Sequence, residues 1–469
     1  MVKVLFSHRI VCYLCGMEMN DTIVALATAP GVGAIAVIRL SGAGCIQVVN
    51  EVFKGADLTA QKSHTVHFGN IMDGDTMIDE VLATVFVAPN SFTKENSVEI
   101  SCHGSQYIIN RIIQLLVVKG ARLANPGEFT QRAYLNGRFD LAQAEAVADL
   151  IASENEAAHT TALNQMRGGI SGEIKTLREK LVHFASMIEL ELDFSEEDVE
   201  FASRDELKQL IMNIDKVLVK LIDSFQLGNV IKNGVPVVIV GKPNAGKSTL
   251  LNALLEDEKA IVSDIPGTTR DIIEDELNIR GVKFRFIDTA GLRETKDQIE
   301  AIGVERAERK MDESALIMYL FDLSTESLDI IQQQEARLIE KNKPYILVGN
   351  KVDKVEAEHE QLKSNKHYVS IAAKQLIGID RLKELIWDKS QMDNFKPGNV
   401  VVTNIRHYQS LVNTQHSLHD VVRGIDNQIT NDFLAQDIRH ALHYLGSITG
   451  QITTDDLLAN IFSKFCIGK

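Results

Sequence analysis

Between residue 21 and about residue 125 the apolar positions fall in short clusters broken by glycine, proline and polar residues. Thr22–Thr28, Ala34–Ser41, Val81–Val87 and Val98–Ser101 are rich in β-branched and apolar side chains, which predicts strands. Gln106–Lys119 has helical spacing and Gly120 follows it, which predicts a helix with a glycine stop. This block reads as mixed α/β. From about 140 the period lengthens. Leu141, Ala144, Val147, Ala148 and Ile151 mark one helical face, and Ile174, Leu177, Leu181, Phe184, Ile188 and Leu192 a second. Leu207, Leu210, Ile211, Ile214, Leu218, Leu221, Ile222 and Phe225 mark a third. Residues 236–390 alternate short apolar strands with helices, the pattern of a parallel sheet. Helical spacing then returns in Leu434, Ile438, Ala441, Leu442 and Leu445.

Each amphipathic helix needs a partner to cover its apolar stripe. The simplest arrangement packs 140–230 against 395–469 as one helical domain and inserts the α/β block between its halves. The boundaries expected are an extension over 1–18, an N-terminal domain over 19–138, a first helical segment over 139–230, the α/β domain over 231–392 and a second helical segment over 393–469.

A length of 469 residues agrees with about three domains at ~150 residues each. Apolar content of 45 % and charged content of 24 % are those of a globular protein. The formal net charge of −15 gives no global attraction to nucleic acid, so any RNA contact needs a local basic patch or a partner that supplies one. Five cysteines in so long a chain suit a reducing compartment, and a cytoplasmic location is expected. Cys12 and Cys15 form a lone Cys-x-x-Cys without the second pair a zinc site needs. Cys45 and Cys102 sit in apolar surroundings and read as buried thiols. Cys466 stands fourth from the end, but Gly468 and Lys469 do not fit a prenylation signal. His8 and Arg9 interrupt the apolar start, so Met1–Glu18 reads as a tail or an upstream start, with Met19 as a natural start. No apolar run is long enough to span a bilayer. The acidic stretch Glu189–Glu206 reads as a solvated helix junction.

Two glycine-rich stretches compete as phosphate binders. Gly31 to Ala36 matches a dinucleotide fingerprint in letters, but the residues after it look like a strand where that motif needs a helix, so a hairpin turn is expected. Gly241-Lys-Pro-Asn-Ala-Gly-Lys-Ser248 is different. It follows the apolar strand Val237–Val240 and precedes a helical stretch, Thr249–Leu255. That is the full phosphate-loop pattern in its required context, with Lys247 reaching the β- and γ-phosphates and Ser248 binding Mg²⁺.

The loop does not choose a base. Asn350-Lys351-Val352-Asp353 does, after the strand Tyr345–Val348, because Asp353 can accept two hydrogen bonds that guanine donates and adenine lacks. Between them, Asp288-Thr289-Ala290-Gly291 follows the strand Phe284–Ile287; Asp288 would hold Mg²⁺ through water and Gly291 would sense the γ-phosphate. Gly267-Thr268-Thr269-Arg270-Asp271 fits a first switch loop, with Thr269 as a second Mg²⁺ hydroxyl. Ala372-Ala373-Lys374 stands where a loop backing the guanine belongs. The nucleotide set expected is therefore Asn244, Ala245, Gly246, Lys247, Ser248 and Thr249; Ser263, Asp264, Ile265, Pro266, Gly267, Thr268 and Thr269; Asp288, Thr289, Ala290 and Gly291; and Asn350, Lys351, Asp353, Ala372, Ala373 and Lys374. Leu292 occupies the position after Gly291 where Ras-like enzymes place a water-orienting glutamine, so another group must orient water.

Beyond these motifs, the chain from about Asp21 to Lys469 resembles the MnmE (TrmE) family of tRNA-modification GTPases. The resemblance is carried by the stretches beginning at Asp21, Pro89, Asn125 and Asp140, by the Gly267–Asp271 loop and by the terminal Phe465-Cys-Ile-Gly-Lys. It implies an N-terminal α/β folate-binding and dimerising domain, a discontinuous helical domain and an inserted P-loop, Ras-like G domain. It implies a GTP hydrolase that adds an aminomethyl or carboxymethylaminomethyl group to C5 of the tRNA wobble uridine. In that family the work is shared with the FAD-dependent MnmG (GidA) protein in a heterotetramer, the one-carbon unit comes from a 5-formyl- or methylene-tetrahydrofolate, and the protein is a homodimer through its N-terminal domain.

The resemblance further implies K⁺ beside the phosphates at Asn244, Ser263, Ile265 and Thr268, with G domains dimerising across the nucleotide. It implies water orientation by Glu300, folate binding by Arg39, Glu99, Arg138 and Lys469, and a part in the chemistry for Cys466. At position 138 the family usually has lysine, and arginine keeps the charge with a different geometry. A ribosome-assembly GTPase is the alternative; it would usually carry a basic RNA-binding appendage, and the flanks here are acidic helices.

Overall fold

The structure, a computed structural model, describes residues 21–193, 203–259, 275–287, 308–356, 360–390 and 400–468. The chain begins with strands β1 (Thr22–Leu26) and β2 (Gly33–Ser41) and helix α1 (Cys45–Asn50). There follow β3 (Phe53–Lys54), β4 (Thr65–Asp73), β5 (Thr76–Phe86), β6 (Ser97–Gly104), α2 (Gln106–Val118), β7 (Ala121–Leu123), α3 (Glu128–Leu135) and α4 (Leu141–Ile151). Helices α5 (Glu156–Met166), α6 (Gly169–Asp193) and α7 (Arg204–Asn233) lead to β8 (Val235–Val240), α8 (Lys247–Lys259), β9 (Asp275–Ile279), β10 (Val282–Phe286) and β11 (Leu316–Asp322). The chain continues through α9 (Leu328–Glu340), β12 (Tyr345–Asn350), α10 (Glu360–Lys363), β13 (Tyr368–Ser370) and α11 (Ile379–Lys389), and closes with α12 (Ile405–Asp426), α13 (Asn431–Thr449) and α14 (Asp455–Phe462).

Two compact units result. One takes the described residues up to Ala148 and those from Gly446 onward; the other is Asp149–Leu445. In the first, seven strands order as β3-β4-β5-β6-β2-β1-β7. All neighbours are antiparallel except β1 and β7. Alternation decides which face is covered: Val81, Ala83 and Val85 of β5 point inward with Ile38, Leu40 and Ile100, and α1 and α2 bring Cys45, Val49, Ile112 and Leu116 onto them. The buried thiols Cys45 and Cys102 belong to this core, and burial pushes Cys45 up to about 12. The last helix, α14, packs in this unit, where Leu458 and Phe462 meet Leu141 and Ala144.

The second unit holds a six-stranded sheet, β13-β12-β11-β8-β10-β9, parallel except for β9 against β10. Its central strands β11 and β12 are buried on both faces, so they read as continuous apolar runs such as Leu316–Phe321. The β9–β10 hairpin is tied to α5: Ala157 N–H donates to Gly281 O (3.1 Å), and Lys283 pairs with Glu154 (2.7 Å). Helices α7 and α12 pack side by side, with Phe225 and Tyr408 stacked at 4.5 Å. At the acidic junction Glu191 is buried and paired with Arg204, and Asn431 donates to it at 3.0 Å. Among the described residues no helix is long and apolar enough to cross a membrane.

One expectation holds and three shift. The segment after Pro30 is the turn of the β1–β2 hairpin, as the strand-like residues after Gly33 predict, and Val32 at its tip is exposed. Strand β5 starts five residues earlier than Val81, because Thr76–Glu80 pairs with β4, a strand that apolar content alone does not reveal. Strand β6 runs Ser97–Gly104, longer at both ends than Val98–Ser101. On α4, Ile151 is exposed and Val147 and Ala148 are half-buried, while the buried face runs through Leu141, Ala142, Ala144, Glu145 and Ala146.

Candidate nucleotide and ligand sites

Strand β8 delivers the chain into a loop whose glycines are required by close approach. Gly241 has φ +154°, and a Cβ there would lie 2.0 Å from Leu320 O on β11. Gly246 has φ +101°, and a Cβ there would lie 2.3 Å from Asn350 Nδ2. Between them Asn244 is left-handed at φ +66°. Helix α8 begins at Lys247, so its unpaired N-terminal amides face the loop, with Ser248 and Thr249 exposed on the first turn. Lys247 Nζ donates to Gly241 O (2.7 Å) and Lys242 O (2.9 Å), which lays the ammonium across the loop. Burial holds its pKa below the ordinary lysine value. Leu250, Leu251 and Leu254 anchor the helix in the core.

The base-reading segment is locked to this loop. Asn350, 3 % exposed, donates from Nδ2 to Ala245 O (2.8 Å) and accepts at Oδ1 from Ala373 N–H (3.1 Å). One amide therefore joins the phosphate loop, the end of β12 and the Ala372–Lys374 turn. Lys351, left-handed at φ +64°, donates to Asn244 O (3.2 Å) and to Asp322 Oδ2 (2.5 Å). Burial alone would raise the Asp322 carboxyl, but the bonds from Lys351 and Ser324 outweigh it and hold it below the usual range. Asp353 is exposed and accepts from Gln375 Nε2 (3.1 Å); Ala372 and Ala373 are buried and Lys374 is exposed. Sequence reasoning assigned Asn350 and Lys351 to the nucleotide and missed that they brace the loops. It missed Asp322 altogether, although a carboxylate ending an apolar strand is a visible signal.

Ser263, Asp264, Ile265, Pro266, Gly267, Thr268, Thr269, Asp288, Thr289, Ala290, Gly291, Glu300 and Lys469 lie outside the described residues.

Reading Asp353 as the guanine acceptor, as its motif implies, predicts that Asp353→Asn lowers the preference for GTP over ATP by ~1–3 kcal/mol, the worth of charge-assisted hydrogen bonds. Competition binding with the two nucleotides measures it, and an unchanged ratio would contradict the assignment.

In the first unit, the β2–β6 register sets Arg39 opposite Glu99. Arg39 Nε and Nη2 both donate to Glu99 Oε1, at 2.9 and 2.8 Å. The Arg39 guanidinium lies between Phe92 and Phe129, 5.5 and 5.9 Å from their ring centres. Arg138 lies between Phe92 and Phe139 and donates to Ser91 O. Glu99 and Arg138 line a cavity of ≈ 500 Å³ with Phe86, Phe92, Asn90 and Ser97. Opposite charges on aromatic walls suit a flat heterocycle with polar edges. Cys466 is exposed, and its backbone carbonyl accepts from Gly127 N–H (3.4 Å); Gly468, φ +93°, packs against Leu26. Among the described residues no cluster of His, Cys, Asp and Glu could hold a metal ion.

Comparison with known proteins identifies the family. Residues 22–138 match the family description "GTP-binding protein TrmE N-terminus", and residues 141–466 match "MnmE helical domain". The tRNA modification GTPase MnmE of Cytophaga hutchinsonii is 59 % identical over 96 % of this chain and 98 % of its own length. That of Christiangramia forsetii is 52 % identical over 97 % of this chain and 100 % of its own length. Among solved structures, Aquifex aeolicus Era is 28 % identical over 39 % of this chain and 66 % of that chain, with a TM-score of 0.26. With a braced phosphate loop in one unit and relatives matched from end to end, the chain belongs to the MnmE family of tRNA modification GTPases and is a GTP hydrolase.

Proposed function

We propose that this GTPase drives addition of an aminomethyl or carboxymethylaminomethyl group to C5 of the tRNA wobble uridine, with an FAD-dependent MnmG-type partner and a tetrahydrofolate-derived one-carbon unit. The observation that carries the reading is the coexistence in one chain of the phosphate loop and a separate aromatic cavity with Glu99 and Arg138 in its wall. Neither needs the other for GTP hydrolysis alone. A 5-formyl- or methylene-tetrahydrofolate fits that cavity in chemistry: Glu99 accepts from heterocyclic N–H groups, Phe86 and Phe92 pack on rings, and Arg138, Arg39 and Lys469 offset carboxylates. The proposed assembly is a homodimer through the N-terminal domain, joined to its partner as a heterotetramer acting on tRNA in the cytoplasm. Cys466 is proposed to take part in the modification chemistry.

At the nucleotide, Ser248 and Thr269 would hold Mg²⁺, with Asp288 reaching it through water. Asn244, Ser263, Ile265 and Thr268 would hold K⁺. Asn244 suits this, since its left-handed backbone sets it at the lip of the loop. These ions would supply fixed positive charge where phosphoryl transfer spreads negative charge. Lys247 binds the β- and γ-phosphates, the α8 amides stabilise them, and Glu300 orients the attacking water that Leu292 cannot orient.

Hydrolysis in K⁺ is therefore expected to exceed hydrolysis in Na⁺ by on the order of tenfold or more, since a lost fixed charge at the transition state costs at least one factor of ten. Steady-state phosphate release in matched KCl and NaCl measures this, and equal rates would remove the K⁺ site. Binding of 5-formyltetrahydrofolate to the full chain, lost in Glu99→Gln, tests the one-carbon reading; absence of binding would leave a GTPase without that chemistry.

A further inference from the structure

The cavity of the first unit has a wall residue that the proposed ligand set leaves unused. His64, just before β4, lines it together with Glu99 and Arg138. Its backbone is left-handed, φ +65°, a region that a non-glycine residue occupies when its surroundings hold it there. The surroundings do so. His64 N–H donates to Val85 O (2.7 Å), and the ring meets Phe86 edge to face at 5.3 Å. Ser63 Oγ accepts from Val87 N–H (3.0 Å) and lies 2.8 Å from His64 Nδ1. Ser63 also has an O–H that it can give to Nδ1, the arrangement in which the neutral ring carries its proton on Nε2. Nε2 makes no hydrogen bond among the described residues.

The strand register gives the layout. Ser97 pairs with Phe86 and Glu99 with Thr84, while His64 precedes the Thr65–Val85 pair. Crossing the sheet, the order is the Glu99 strand, then Phe86, then His64. At about 4.8 Å per strand, His64 stands roughly 10 Å from the Glu99 strand. A ligand whose heterocycle faces Glu99 and whose rings lie along Phe86 brings its far end to His64.

Other charges near that end are few. Glu99 and Arg138 share the cavity; Lys62 is two residues upstream of His64. On the neighbouring loop, Lys94 is bound to Gly137 O (2.8 Å), and Glu95 is bound to Ser41 and Arg132. His67 on β4 is bonded to Thr65 (2.8 Å).

We propose that His64 is a specificity-determining residue of this cavity, where it binds the carboxylate tail of a folate-type ligand through Nε2–H and, once protonated, through a full positive charge. This rests on the one-carbon reading above. A carboxylate partner favours the charged ring, so binding tightens as pH falls.

The test is calorimetric titration of the full-length protein with 5-formyltetrahydrofolate and with the same ligand in which a neutral methylamide replaces the glutamate, at about pH 6 and about pH 8. His64→Asn is the variant, because asparagine also tolerates a left-handed backbone. The parent is expected to bind the complete ligand about tenfold more tightly at the lower pH. His64→Asn, and the parent with the glutamate-free ligand, are expected to show no such gain. An equal pH gain in His64→Asn would overturn the role of His64 and leave the folate reading intact. No binding by the parent at either pH would overturn both.

Discussion

Replacing Lys247 by alanine is expected to cut GTP turnover by at least about 10²–10³-fold, the cost of removing one preorganised charge-stabilising donor. The ammonium lies across the loop on Gly241 O and Lys242 O. The loop itself should survive. Its shape is held by Asn350 bonded to Ala245 and Ala373 and by Lys351 bonded to Asn244 and Asp322, and none of these bonds involves the lysine at 247. Single-turnover hydrolysis of the variant, beside an unchanged far-ultraviolet dichroism spectrum, measures the effect. Parent-like turnover would mean that the triphosphate is neutralised elsewhere.

The second large effect lies in the first unit, where five charged groups meet and two of them, Arg132 and Glu128, are buried. Arg132, 5 % exposed, donates to Asp21 Oδ1 (2.5 Å), Glu128 Oε1 (3.0 Å), Asp21 O (3.0 Å) and Glu95 Oε2 (3.3 Å). Glu128, 1 % exposed, also receives Arg122 at 2.7 Å and Asn125 N–H at 2.8 Å. Arg132→Met fills part of the volume but leaves the buried Glu128 with Arg122 alone and takes from Glu95 its arginine. The expected loss is about 3–5 kcal/mol, as for one partner removed from a buried ion pair. Denaturant unfolding of the variant, followed at the transition of the first unit, checks it, and a loss below about 1 kcal/mol would show the network to be solvated.

The same network sets an acid limit. Burial alone would raise the carboxyls of Asp21 and Glu128, but hydrogen bonds from Arg122 and Arg132, with Asn125 N–H at Glu128, outweigh it and hold both below their ordinary values of 3.8 and 4.5. Folded values lower than unfolded ones mean that the unfolded chain binds more protons. The stabilisation is therefore complete above the ordinary values and is lost as pH falls through the folded ones.

What was legible in the sequence follows from the range of the interaction. The phosphate loop is local: strand, glycines, lysine and helix are contiguous, and Gly241 and Gly246 mark where backbone and neighbour nearly touch. The β1–β2 hairpin is local too, and the strand after Gly33 distinguishes it from a dinucleotide fold. The Arg132–Asp21 pair spans 111 residues and the Asn350–Ala245 bond spans 105, and nothing in the spacing of either reveals its partner. Strand β4 alternates half-buried positions and carries Gly69 and Asn70 in its centre, so its apolar content is too thin to read. Arg39 and Glu99, 60 residues apart, are brought together by the β2–β6 register, and only family resemblance joined them in the sequence. The bracing role of Asn350 was hidden because the same tetrapeptide already had a reading as a base reader.

GTP hydrolysis and wobble-uridine modification are coupled in this account, and that coupling is the claim to test. In cells whose only copy of this gene carries Lys247→Ala, nucleosides from purified tRNA can be compared by mass spectrometry with those of the parent. The account predicts that the modified wobble uridine disappears while the variant protein remains present at the parent's level. Undiminished modified uridine in those cells would contradict it.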